Sequence, residues 1–328
     1  MRFYRFCSNL FTKSSLSTIE SRRGISTIIT PSPEVVKMLF EADAPSSNPI
    51  PNRFQIVEKQ QKLQNIYIED KQFKNFADNL YKSLNNSRIN VVAINFAKQT
   101  DCNISKNSLY FQSILMTTTL AQGLGFEAFY DIKNLPSHVF VDSAKSSKID
   151  GHQDGIFLKD DDKIPSLMPY LALINAHSTS HVKTWIKEIN DIAIELKEKY
   201  PKDYEILKQL NFIGISPASE VVHKGKIFSQ DENQKYFMQF VSNFEYFPFS
   251  KELHGFGILP DQAKQAIERL KEVVNSEKNR QDFLLNDKQT QIIFMNNQQV
   301  VHGRDQIKES DGLRLIVAIP LKKNQLAK

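Results

Sequence analysis

Residues 291–304 read Gln-Ile-Ile-Phe-Met-Asn-Asn-Gln-Gln-Val-Val-His-Gly-Arg, and the fold turns on how they divide. The apolar, β-branched run 291–295 reads as a buried strand, and the polar break at Asn296–Gln299 ends it. His302 follows just beyond. Working outward, similar short runs predict strands over 88–97, 139–142, 171–175, 212–215, 226–228, 235–241, 282–285 and 313–319. Helical spacing of apolar residues predicts helices over 70–85, 107–120 (capped by Asn107), 184–196 and 261–274, with Asp261 as a cap after Pro260. Many short strands beside a few helices imply a mainly β fold with flanking helices, a sandwich or barrel. Nothing marks an internal boundary, so 31–328 reads as a single domain.

Composition narrows the chemistry. The 328 residues are 41% hydrophobic and 24% charged, an ordinary globular balance. Only Cys7 and Cys102 occur, which excludes a disulfide scaffold and a four-Cys zinc site. Glycine is sparse, and neither a GxGxxG nor a P-loop motif is present, against nucleotide-binding enzymes. The formal charge of +5 sits almost wholly in residues 1–30, where five basic residues meet Glu20 alone among six Ser and four Thr. The rest is nearly neutral, so no nucleic-acid groove is expected from charge. No apolar run reaches membrane-spanning length; 315–321 is among the longest. The basic, hydroxyl-rich start fits a mitochondrial transit peptide or other targeting segment; a frayed terminus or an upstream strand is the alternative, leaving the cytoplasm as the location.

Of the seven His, only His152 has an acid two positions on, Asp154, in Gly151-His152-Gln153-Asp154-Gly155. On an extended strand that spacing puts both side chains on one face, within reach of one metal ion. A distant second His completes two His and one carboxylate, a facial set that suits non-heme Fe(II). His302 is that candidate, 150 positions later. Twelve positions beyond it, Arg314 falls inside a strand that reads as core. A buried Arg needs a carboxylate, and its planar fork suits bidentate capture of one.

Together these residues resemble the Fe(II)- and 2-oxoglutarate-dependent dioxygenases of the taurine dioxygenase and clavaminate synthase type, over about residues 88–320. The segment 294–304 looks like that family's DN-x-x-x-x-HGR element, with Asn296 in place of its Asp. The resemblance implies a double-stranded β-helix, a cupin-like jelly-roll. It implies iron held by His152, Asp154 and His302, with Arg314 anchoring the far carboxylate of 2-oxoglutarate. It also implies a Thr sharing that anchor, and Thr184 is the candidate, although the family's Gly-Gly-x-Thr approach is absent. O2 and 2-oxoglutarate would be consumed, succinate and CO2 released, and a small organic substrate hydroxylated or desaturated.

Other readings are weaker. His177 and His181 have the zincin spacing, but Ser178 replaces the Glu a metalloprotease needs. His138, His223 and His254 lack partner patterns. Arg304 reads as a structural salt bridge. Nine aromatics in 228–256 suit core strands or a substrate pocket. Ala318 occupies the position where the taurine dioxygenase branch carries a second Arg, which implies a larger or less acidic substrate. A non-catalytic jelly-roll binding or regulatory module is the alternative to an enzyme.

Overall fold

In the computed structural model, strand Ile292–Asn296 lies inside an eight-stranded sheet. The structure describes residues 16–20, 25–41, 65–85, 89–95, 126–128, 140–142, 147–154, 169–216, 221–286, 292–312 and 314–323. The sheet runs in the order Leu16–Glu20, Ile25–Ile29, Ile89–Ile94, Ile292–Asn296, Tyr170–Ser178, Arg314–Lys323 and Phe126–Ala128, with Phe140–Asp142 also on the Arg314–Lys323 strand. Every pairing is antiparallel except Ile25–Ile29 with Ile89–Ile94. Ser26, Thr27 and Ile29 are buried there.

A second, four-stranded sheet runs Gln281–Phe283, Thr184–Glu188, Val300–Arg304, Ile149–His152, all antiparallel. Val91, Leu171, Leu173, Ile293, Met295 and Ile316 of the first sheet pack with Ile186, Phe283 and Val300 of the second. The core thus lies between two facing sheets. The turn at 297–299, closed by the Gln299 amide donating to the Asn296 carbonyl at 2.9 Å, carries the chain from one sheet to the other. His302 therefore stands on a strand of its own, in the second sheet.

The outer face of the second sheet is covered by helices. Trp185 and Val301 join Ile189, Ile192 and Leu196 of helix Ile189–Lys199 and Ala266, Leu270 and Val274 of helix Pro260–Asn275 in one buried cluster. Phe228, Phe240, Phe244 and Tyr246 belong to the same cluster. These four aromatics are core behind the sheet, the first of the two readings given for them.

Two helix expectations change. Residues 184–188 are a strand, and the helix begins only at Ile189. The run Trp185, Ile189, Ile192, Leu196 mimics a helical stripe, but Thr184–Glu188 is buried on both faces, a pattern that carries no period. Helix Pro260–Asn275 has Pro260 in its first turn and Leu259 at the cap, so Asp261 is not the cap; Pro is preorganised for that first position. The expected helix over 107–120 lies outside the described residues.

Candidate active site

The second sheet decides the site. In Val300–Arg304, side chains alternate, so His302 and Arg304 share the inner face while Val301 and Gly303 look toward the helices. His302 pairs directly with His152 of Ile149–His152, and their ring centroids are 4.3 Å apart. Asp154 completes the group. His152 Nε2 lies 3.6 Å from Asp154 Oδ1 and His302 Nε2 3.5 Å from Asp154 Oδ2. One ligand atom from each of the three falls within 4.8 Å of the others.

Asp154 does not sit on the strand, as the i, i+2 spacing implies. The strand ends at His152, and Asp154 lies in the turn after it. Asn297 holds that turn: its Oδ1 accepts from the Asp154 amide at 3.1 Å, and its Nδ2 donates to the Asp154 carbonyl at 2.7 Å. The Asn297 carbonyl accepts from Gln153 Nε2 at 2.7 Å. Asn297 and Gln153 are both fully buried. Sequence reasoning passed over both, although Asn297 stands at the Asn of the motif.

Electrostatics set the protonation states. His152 Nδ1 lies 2.9 Å from the Asp150 carbonyl; donation there fixes the ring so that Nε2 points toward Asp154 and His302. Burial pushes His302 below the ordinary His range and the neighbouring His152 adds to this, both outweighing Asp154. For His152 burial acts downward too, but the Asp154 hydrogen bond and charge prevail and its pKa rises. Burial raises Asp154, yet the two imidazoles outweigh it and hold the carboxyl well below the usual range. The result is one ionised carboxylate facing two imidazole nitrogens. The Nε2 of His302 is buried without a hydrogen-bond partner.

Behind the two His lies Trp185. A Cβ on Gly303 would stand 2.3 Å from Trp185 Cζ2 and 2.7 Å from the Ile149 carbonyl. A Cβ on Gly151 would stand 2.3 Å from Val274 Cγ1 and 2.8 Å from Trp185 Cη2. Each glycine adjoins a His of the group, and its bare face lets the indole press against the sheet. Arg280 stacks over the indole, its Cζ 4.2 Å from the ring centroid.

Thr184 and Arg314 meet across the core. Arg314 Nη2 donates to Thr184 Oγ1 at 2.5 Å, a bond that joins the first sheet to the second. Thr184 also pairs directly with Arg304. Arg304 is buried, and Nη2 donates to the Ser147 carbonyl at 2.9 Å. Among the described residues it has no carboxylate in ion-pair range, which corrects its reading as a structural salt bridge. Burial, and then the charge of Arg304, lower Arg314 to about 10. Ala318 packs against the cluster between the sheets. His177 lies in a strand and His181 in the exposed connection after it, so they form no zincin helix. His223 is in a strand and His254 in a helix; His138 lies outside the described residues.

No protein-family model matches the sequence, and no curated protein resembles it. Solved structures do. The chain is similar in fold to the non-heme iron oxygenase OrfP. OrfP with Fe and alpha-ketoglutaric acid aligns with a TM-score of 0.60 at 15% identity, over 91% of this chain and 94% of that one. OrfP with Fe and L-Arg gives 0.58 at 14%, over 90% and 94%. OrfP with Fe, succinate and (3S)-hydroxy-L-Arg gives 0.59 at 15%, over 90% and 94%. At such identity the likeness establishes architecture, and chemistry must be argued from this chain's own residues.

Proposed function

We propose that this protein is an Fe(II)- and 2-oxoglutarate-dependent oxygenase, of the taurine dioxygenase and clavaminate synthase type, acting on a small organic substrate. The facing sheets are then its double-stranded β-helix. One observation carries the reading: His152, Asp154 and His302 converge, with a carboxylate held ionised and the His302 Nε2 buried beside it without a hydrogen bond. A buried nitrogen left in that state is costly unless a ligand meets it. The donor set suits non-heme iron, whose role when bound is to activate O2 for substrate oxidation as 2-oxoglutarate is decarboxylated.

The chain's own residues have separate tasks. His152, Asp154 and His302 hold the ion, and the Asp150 carbonyl and Asn297 fix two of those ligands. Arg314 and Thr184 anchor the far carboxylate of 2-oxoglutarate from opposite sheets. The side chains of His152 and Asp154 are 17% and 26% exposed, so the group is reachable from one side. Ala318 offers no charge for an acidic substrate group, and leaving such a group unpaired is costly. Taurine and free α-amino acids are therefore expected to be poor substrates, although OrfP binds L-Arg. That makes basic amino acids the first competitors to test.

The experiment is 2-oxoglutarate turnover with Fe(II), ascorbate and O2, read as succinate, with and without a panel of candidate substrates. Succinate release that rises with one substrate class supports the enzyme. A protein that binds Fe(II) and 2-oxoglutarate yet forms no succinate with any of them would favour the binding-module alternative.

A further inference from the structure

Arg304 is 4% exposed, and its Nε and Nη1 are buried with no hydrogen-bond partner. Its one hydrogen bond among the described residues is Nη2 to the Ser147 carbonyl. A guanidinium carries five N–H donors, and burying them without acceptors or a counter-charge is strongly unfavourable. A folded chain keeps such a group where an anion from outside completes it.

Position shows which anion. Arg304 is two residues from His302 on the same strand, so it lies on the inner face, beside the proposed metal ligands. Across the strand pair its direct partner is Thr184, and Thr184 Oγ1 is where Arg314 arrives from the opposing sheet. The Arg304 guanidinium bonds Ser147, beside the strand on the other side, and its charge still acts on Arg314 inside the closed core. Like charges brought together out of water repel, and a carboxylate between them reverses the sign of that interaction.

We propose that Arg304 is a second anchoring residue, which with Arg314 and Thr184 forms a two-guanidinium pocket for the far carboxylate of an acidic cosubstrate. The proposal rests on the oxygenase reading for the identity of that cosubstrate, 2-oxoglutarate. The pocket itself rests on the unpartnered N–H groups of Arg304 and on the strand register. It assigns this pocket a strong preference for 2-oxo acids that carry a second carboxylate.

The test is equilibrium titration of the Mn(II)-loaded full chain with 2-oxoglutarate, 2-oxobutyrate and succinate, without O2. 2-Oxobutyrate keeps the 2-oxo acid end and lacks the far carboxylate. Arg304→Gln is expected to weaken 2-oxoglutarate by at least about tenfold, since truncating one partner of a buried charge pair is costly. Binding of Mn(II) and of 2-oxobutyrate should stay within about twofold of the parent, as neither uses the pocket. Arg304→Lys keeps the charge without the fork and should lose part of the affinity with the same selectivity; it carries the test if Arg304→Gln does not fold. Unchanged 2-oxoglutarate affinity in the folded variants overturns the proposal and leaves the oxygenase reading standing. If the parent ignores 2-oxoglutarate but binds succinate, and Arg304→Gln weakens that, the pocket stands and the cosubstrate assignment falls. Binding of neither dicarboxylate by the parent overturns both.

Discussion

His302 faces His152 directly across an antiparallel strand pair, ring centroid to ring centroid at 4.3 Å. The two strands come from regions far apart in the chain, so a shared ion would fasten the edge strand Ile149–His152 to the sheet. His152→Ala and His302→Ala each leave two ligands of three. Both are expected to reduce Mn(II) or Fe(II) affinity by about 100-fold or more, and to abolish the metal-dependent rise in melting temperature. Metal analysis of the purified variants checks this; full occupancy in either one removes the triad assignment.

Asn297 is expected to matter nearly as much without touching the ion. Asn297→Ala deletes both bonds that hold the Asp154 backbone and leaves buried groups unpaired, at a cost of about 1–3 kcal/mol. Metal affinity should fall about 10- to 100-fold, as for other residues that orient a ligand. A Mn(II) titration together with a denaturant melt separates the two effects. Parent-like metal affinity in a folded Asn297→Ala variant would show that Asp154 positions itself.

Gly303→Ala places a methyl group 2.3 Å from the indole and 2.7 Å from a backbone carbonyl, which cannot swing away as a side chain can. Overpacking of this kind costs about 1–3 kcal/mol, and more where backbone must move. Thermal denaturation should show a melting temperature lower by several degrees. A melting temperature equal to the parent's would mean that the wall behind the two His is looser than drawn.

Glu188 supplies a pH dependence unrelated to metal. Burial, with Asp191 adding and the Asn90 hydrogen bond opposing, raises its carboxyl from 4.5 to about 7. The folded state binds this proton more tightly than the unfolded state. Its contribution is neutral below pH 4.5, turns destabilising as pH climbs toward 7, and is constant above. Glu188→Gln removes a cost of up to about 3 kcal/mol above pH 7. Urea melts at pH 5 and pH 8 should show the variant gaining on the parent mainly at the higher pH; an equal difference at both would rule out this ionisation.

Sequence order carried the ligand group because the ligands lie within recognisable local patterns. His152 and Asp154 are two apart, and His302 and Arg314 sit in apolar strand runs. Thr184 was legible as a residue but not in its setting. Thr184–Glu188 is buried on both sides, so hydrophobic periodicity gave no help and the neighbouring helix lent it a false stripe. Asn297 and Arg304 were illegible in role, since what each does depends on Asp154 and Thr184, partners more than a hundred residues away. The sheet order was hidden likewise: nothing local announces that 292–296 and 300–304, three residues apart, belong to different sheets.

Trp185 is the chain's single tryptophan, and its indole rests on the glycine beside each paired His. Tryptophan emission, excited on the red edge where the ten tyrosines do not absorb, therefore has one source, seated directly behind the candidate metal position and screened from solvent. Occupancy of the site can be followed by emission alone, with no label and no coupled assay. Fe(II) should quench it, and a diamagnetic ion such as Zn(II) in the same position should not, so the pocket has a built-in optical readout for every variant described above.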